Sequence, residues 1–178
     1  MIRVATPDDA SAMLEIYRPH IVGSSVSFEY EVPSEKEFRE RILKILPSLP
    51  WLVYEIDGAV VGYAYASRYR DRAAYQWSVE TTVYVGAQHQ RAGVARALYE
   101  ALIASLKKQN YLIAYGVITL PNPKSVAFHE ALGFKPLCVY PKAGFKLGKW
   151  HDVGWWRLEL GEFPEEPVVP TDRGSAAL

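Results

Sequence analysis

Cysteine is almost absent: the one residue present, Cys138, cannot form an intrachain disulfide, which suits a protein of the reducing cytoplasm. It reads as a small hydrophobic filler, not as a catalytic thiol. Neither sign of charge is in excess, because 20 Lys and Arg balance 20 Asp and Glu, so no overall field draws the chain to nucleic acid or anionic lipid. Long apolar runs are missing too; no stretch approaches the roughly 18 residues of a membrane span. Residues 1–10 lack a basic region followed by an apolar one, so neither secretion nor membrane insertion is expected. The four histidines, His20, His89, His129 and His151, have no helical ligand spacing, and His129-Glu130 lacks the second histidine of a zinc motif, so no metal is expected.

What is present is an ordinary globular composition, 49% hydrophobic and 13% aromatic over 178 residues, enough to bury one core unaided. Thr6 followed by Pro7, Asp8 and Asp9 signals a helix start, and Met13, Leu14 and Tyr17 supply its apolar face. Ser34 and Glu37 form a capping-box pattern ahead of the stripe Phe38, Ile42, Ile45 and Leu46, which Pro47 and Pro50 close. Residues 51–56 and 59–67 read as strands joined at Asp57-Gly58, a two-residue hairpin signal. A third strand is expected over 77–85, then a helix over 93–108 with Val94, Leu98, Ala101, Leu102 and Leu106 inward. A strand over 111–120, a short helix over 125–132 stopped by Gly133, and an edge strand over 154–160 complete the pattern. The order predicts an α/β (α+β) architecture, a mixed central sheet with helices on both faces. After Gly161 the composition turns to Pro, Glu, Ser and Ala, which predicts one domain over 1–161 and a flexible tail over 162–178.

The most informative stretch is Val83-Tyr84-Val85, a polar turn, and Gln90-Arg91-Ala92-Gly93-Val94-Ala95 running into the amphipathic helix. A strand, a small-residue turn and a helix start present unpaired N–H groups to an anion, and the helix dipole adds to the attraction. Such a turn can hold a pyrophosphate. Gly93 permits close backbone approach, Ala95 leaves room, and Arg91 or Arg96 can add a charge-assisted contact. The turn is too short for a P-loop and no Lys-Ser/Thr follows; the three small residues and distant acid of a dinucleotide fingerprint are also missing.

The Gln-x-x-Gly-x-Ala turn, the Val-Tyr-Val strand before it, and Asn122-x-x-Ser125-x-x-Phe128-His129-x-x-x-Gly133-Phe134 together resemble the GNAT superfamily of N-acetyltransferases. A narrower resemblance, to the phosphinothricin and methionine sulfoximine acetyltransferases, is carried by Ser25-Val26-Ser27-Phe28, Tyr75-x-Trp77-x-x-Glu80-x-Thr82, His129-Glu130-Ala131-Leu132-Gly133 and Gly144-Phe145-Lys146-x-Gly148-x-Trp150-His151-Asp152. It spans nearly all of residues 2–160. It implies the GNAT fold, with a splayed strand pair holding acetyl-CoA, and transfer of acetyl to the α-amine of a small amino-acid-like acceptor. It also implies a homodimer in which the aromatic stretch 144–156 takes part; on the residues alone, that stretch either packs the end of the core or makes a subunit contact.

An amine attacks a thioester only when neutral, so a base is needed near neutral pH. Glu80 interrupts a β-forming run, where partial burial would raise its pKa toward a useful base; a solvated strand glutamate is the plainer reading of the residue alone. The resemblance assigns it the general base. It also implies that Val83, Tyr84, Val85 and Asn122 contact the cofactor arm, although Asn122 before Pro123 equally reads as a turn residue. His129 stands where many GNAT enzymes carry a tyrosine acid and where the narrower group has histidine; acid, base and hydrogen-bond donor all remain open. Arg72 and Tyr75 match acceptor-contacting positions, an arginine fork suits a carboxylate, and Phe28, Tyr30 and Trp77 would wall the pocket. Arg68 and Arg70 receive no role. Two other functions stand beside this one: acetylation of a protein or peptide N-terminus, which needs an open groove, and a non-catalytic acyl-CoA sensor, which needs no base.

Overall fold

A computed structural model describes residues 1–172. After β1 (Ile2–Val4), which the sequence pattern did not disclose, Pro7–Asp9 forms a 3-10 turn that leads into α1 (Ala10–Val22). The Ser34–Glu37 capping box is formed and starts α2 (Glu35–Ile45). Strands β2 (Trp51–Ile56) and β3 (Ala59–Arg68) make the expected hairpin, with Asp57 and Gly58 at φ 49° and 79° as a tight turn between right-twisted strands requires. β4 (Ser78–Val85), α3 (Val94–Lys108), β5 (Ile113–Leu120) and α4 (Pro123–Ala131) follow, and Gly133 takes the left-handed conformation that ends α4.

Two long strands complete the chain, β6 (Lys135–Lys146) and β7 (Lys149–Glu159). The sheet order is β1-β2-β3-β4-β5-β7-β6, so the aromatic run expected at the sheet edge lies inside it and β6 is the edge. Pro136 and Pro141 hide β6 from a pattern reading, since proline normally argues against a strand. Both are tolerated because the pairing with β7 breaks at Pro136/Cys138 and again at Tyr140/Gly144. Cys138 is accordingly exposed on this edge and fills no core.

Side-chain alternation along the strands divides the interior into two layers. Trp51, Val53 and Tyr63 pack with Met13, Tyr17, Phe38 and Ile42 of α1 and α2. Leu52, Ala64, Val79 and Ala114 pack on the other face with Leu98, Leu102 and Leu106 of α3. Helices thus cover both faces of a mixed sheet, as the element order predicts.

Among the described residues only β4 and β5 run parallel, and they pair at just three positions: Ser78 with Ile113, Val79 with Ala114 and Glu80 with Tyr115. Beyond them each strand keeps its outer neighbour, β4 staying on β3 as far as Val85 and β5 on β7 as far as Leu120. The sheet therefore opens in a V whose vertex is Glu80.

Residues 162–172 have no helix or strand, and the last six residues of the expected tail lie outside the described residues. Within this segment the Val168 carbonyl accepts from Trp77 Nε1 at 2.8 Å, and Thr171 exchanges hydrogen bonds with Gln109.

Leu102 has no exposed surface and sits where α3 meets the sheet. Leu102→Ala should cost about 2–5 kcal/mol in urea unfolding. Leu43→Ala, at an exposed site on α2, should change stability by less than about 0.5 kcal/mol.

Candidate active site

The V between β4 and β5 opens a groove of about 420 Å³ that reaches both faces of the sheet. Along β4, Val79, Thr81, Val83 and Val85 face α3, whereas Glu80, Thr82 and Tyr84 face α1 and α2. His20, Val26, Thr82 and Tyr84 line the groove on one side; Ala95, Tyr99, Ser125, Phe128 and His129 line it on the other. A second hollow of about 340 Å³ adjoins it at the start of α3, lined by Arg91, Gly93, Val94 and Arg96 and sharing Val85, Gln90, Ala95 and Phe128 with the first.

The turn at this end leaves backbone donors open. Gly93 is the N-cap at φ 79° and brings no capping side chain, so the first intrahelical bond is Ala97 N–H to the Gly93 carbonyl. The amides of Val94, Ala95 and Arg96 are then the open donors of a helix start, aligned with the positive end of its dipole. Arg91, exposed and at φ 65°, stands at the rim, and Arg96 is loosely held by Glu100 at 3.4 Å. Ala92 shares this turn but does not line either hollow. At the far end Asn122 Oδ1 caps α4 by accepting from Ser125 N–H at 3.1 Å. The turn-residue reading of Asn122 is thus realised, and its side chain also borders the groove.

Glu80 is half-buried, its side chain 31% exposed. Burial pushes its carboxyl above the ordinary value, and the Arg70 guanidinium, 3.6 Å away, partly pulls it back. Arg70 is itself laid over the Tyr69 ring at 4.3 Å, in a group where Tyr69, Tyr75, Tyr115 and Trp155 pack ring against ring. Sequence reading left Arg70 without a role. Its alternation with Arg68 and Arg72 offers no signal to single it out.

His129 is 6% exposed on the α3 face. Burial lowers its pKa, opposed by a hydrogen bond from Nδ1 to the Ser125 carbonyl at 2.8 Å. The Cδ2–Nε2 edge of its ring lies against Gly116 of β5, where a Cβ would come within 2.5 Å of Cδ2 and 2.8 Å of Nε2. The Tyr99 hydroxyl is 3.2 Å from Nε2. Tyr99 was missed because the apolar stripe read along this helix, Val94, Leu98, Ala101, Leu102 and Leu106, passed it over, although a tyrosine beside a buried helix face needs a partner for its hydroxyl.

The residues proposed for the acceptor do not gather in the groove. Arg72 and Tyr75 line a separate cleft of about 230 Å³ with Arg68 and Arg70, and Arg70 links that cleft to Glu80. Trp77 is occupied by the Val168 carbonyl. Phe28 covers Gly144, and Tyr30 donates its hydroxyl to the Phe145 carbonyl, so both belong to the contact between the α1–α2 connection and the β6–β7 hairpin. The buried Lys146 ammonium fastens the same contact, donating to the Ile21 and Ser27 carbonyls at 2.6 Å each. Among the described residues no three His, Cys, Asp or Glu side chains converge as metal ligands do, and no helix is long and apolar enough to cross a membrane.

A mixed sheet parted between two parallel strands, with open amides at the next helix start, defines a class, and the chain belongs to it: the acetyltransferase (GNAT) domain family, whose pattern matches residues 2–155. The chain is 41% identical over 170 residues to the phosphinothricin N-acetyltransferase of Streptomyces viridochromogenes, covering 95% of this chain and 93% of that one. It is 30% identical over 162 residues to an L-methionine sulfoximine/L-methionine sulfone acetyltransferase of Salmonella typhimurium, covering 90% and 95%. The crystal structure of a GNAT superfamily phosphinothricin acetyltransferase from Sinorhizobium meliloti in complex with AcCoA matches with a TM-score of 0.90 at 33% identity, covering 94% of this chain and 92% of that one.

Because the imidazole fills the space above Gly116, Gly116→Ala should displace it and destabilise the fold by about 1–3 kcal/mol through overpacking. Urea unfolding together with the imidazole resonances of His129 checks both; an unmoved resonance would contradict the packing described.

Proposed function

We propose that the protein transfers the acetyl group of acetyl-CoA to the α-amine of a small amino-acid-like acceptor of the phosphinothricin, methionine sulfoximine or methionine sulfone type. The observation that carries this reading is the position of Glu80 at the vertex of the β4–β5 opening, with a carboxyl raised by burial. The amides of Val94, Ala95 and Arg96, helped by Arg91, would take the diphosphate of the cofactor. Its pantetheine arm would lie between the strands against Val83, Tyr84, Val85 and Asn122, where backbone amides released from strand pairing can stabilise the charge on the thioester oxygen.

Glu80 leaves β4 on the face opposite its neighbour Thr81, and His129 of α4 lies on the Thr81 side, where Tyr99 joins the two. In this reaction Glu80 removes the proton of the attacking amine on one face, and His129 exchanges a proton with the departing thiolate on the other. Arg72 and Tyr75, reached through Arg70, are proposed for the acceptor's charged end, and Phe28 and Trp77 for its surroundings. The activities of the relatives, on phosphinothricin and on methionine sulfoximine and sulfone, favour a free amino-acid analogue over a peptide N-terminus and over a non-catalytic sensor. We further propose a cytoplasmic homodimer joined through the β5–β7–β6 half of the sheet, which leaves Val117, Tyr140, Phe145 and Trp150 exposed in the single chain.

Glu80→Gln should lower kcat by about 100-fold or more in a thiol-release assay at pH 7 with methionine sulfone as acceptor. Acetyl-CoA binding should persist. The rate of the unaltered enzyme should rise with pH as the raised carboxyl ionises; Arg70→Ala removes a cation that favours ionisation, so it should move that rise to higher pH. Full activity of Glu80→Gln at every pH would remove Glu80 from the reaction. Sedimentation at micromolar concentration should give twice the chain mass, and a lone monomer would overturn the dimer.

A further inference from the structure

The imidazole of His129 is held at both nitrogens, and each partner fixes a different property. A carbonyl oxygen only accepts, so the 2.8 Å contact between Nδ1 and the Ser125 carbonyl puts the hydrogen of the neutral ring on Nδ1. Nε2 is then a bare lone pair, and the group facing it is the Tyr99 hydroxyl at 3.2 Å. That hydroxyl is also 3.3 Å from Thr81 Oγ1, which in turn donates to the Tyr115 carbonyl at 3.2 Å. Tyr99 has no exposed surface, and burial raises its pKa, so its hydroxyl stays intact and does not become a phenolate.

We infer that Tyr99 is a positioning residue whose reversible hydroxyl, backed by Thr81, lets the buried His129 ring gain and lose its Nε2 proton without leaving any polar atom unpartnered. In the neutral state Tyr99 donates to Nε2, and Thr81 donates to the Tyr115 carbonyl. When a proton from solvent in the groove binds Nε2, the new N–H donates to Tyr99 Oη. The Tyr99 hydrogen turns to Thr81 Oγ1, and Thr81 keeps its carbonyl. One proton is added, no covalent bond other than N–H changes, and both states are satisfied. A phenylalanine at 99 would take away the protein partner of Nε2 in both states.

The bond in the protonated state is charge-assisted and the stronger of the two, so Tyr99 favours protonation against the desolvation that opposes it. Among the described residues the other groups packed on the ring are uncharged. Thr81 comes from β4, Gly116 from β5, Ser125 and Phe128 from α4, and Phe134 follows α4. Lys124 borders the same groove, while Glu130 is turned to Trp156 Nε1 at 3.1 Å. His20 and Tyr84 lie on the far side of the opening.

This inference rests on the role given to His129 above, and its test is independent of turnover. The full chain labelled with ¹⁵N-histidine is titrated without cofactor or acceptor, His129 being assigned by the signal lost in His129→Gln. The unaltered protein should show a protonated Nδ1 and a bare Nε2 above the titration midpoint. Tyr99→Phe should keep that tautomer but lower the midpoint by about one unit, a tenfold fall in proton affinity. A midpoint that stays or rises, or a ring protonated at Nε2 when neutral, overturns the inference. If Tyr99→Phe does not fold, Thr81→Val takes its place, with a smaller fall in the same direction expected and an unmoved midpoint equally fatal. Failure of the titration leaves Glu80-dependent acetyl transfer standing, and failure of the transfer assay leaves the titration intact.

Discussion

Two parallel strands that share three residue pairs and then part leave a row of backbone groups on each inner edge without a strand partner. An opening of this kind inside a sheet is costly unless water or a ligand fills it. Here the neighbouring pairings hold it open: β4 stays registered on β3 to Val85, and β5 on β7 to Leu120. The packing of α3 on one face and α1 on the other then turns the gap into a passage with side chains of different chemistry at its two mouths. Family membership, groove and proposed reaction all trace back to this one interruption.

The electrostatics of the passage follow from burial more than from net charge. Glu80 is raised because water is partly excluded from it, and Arg70, tied to an aromatic group, limits the shift. His129 is lowered for the same reason, with the Ser125 carbonyl as counterweight. Desolvation thus moves a carboxyl and an imidazole toward each other in pKa. The start of α3 differs in kind: Gly93 brings no side-chain cap, so the helix start keeps its backbone donors open.

The parts of the fold that local chemistry dictates were legible in the sequence. The Ser34–Glu37 box, the Asp57-Gly58 turn, the Gly133 stop and the stripe on α3 each act within a few residues, and each forms where the pattern put it. What escaped depends on distant partners. β1 is three residues long and exists because β2 offers an edge; β6 carries two prolines that only bulges against β7 make acceptable. In the site, the residues of the turn and strand came together because they are close in sequence. Arg70, Tyr99 and Gly116 became visible only when the connection after β3, α3 and β5 were brought against Glu80 and His129. A lone tyrosine in an apolar helix stripe was the one available signal among them.

The most direct test of the central claim is a crystal structure with acetyl-CoA. The account predicts the diphosphate on the amides of Val94, Ala95 and Arg96, and the thioester lying between β4 and β5 with Glu80 and His129 on opposite sides of it. A cofactor bound elsewhere, with the gap between those strands filled only by water, would contradict it.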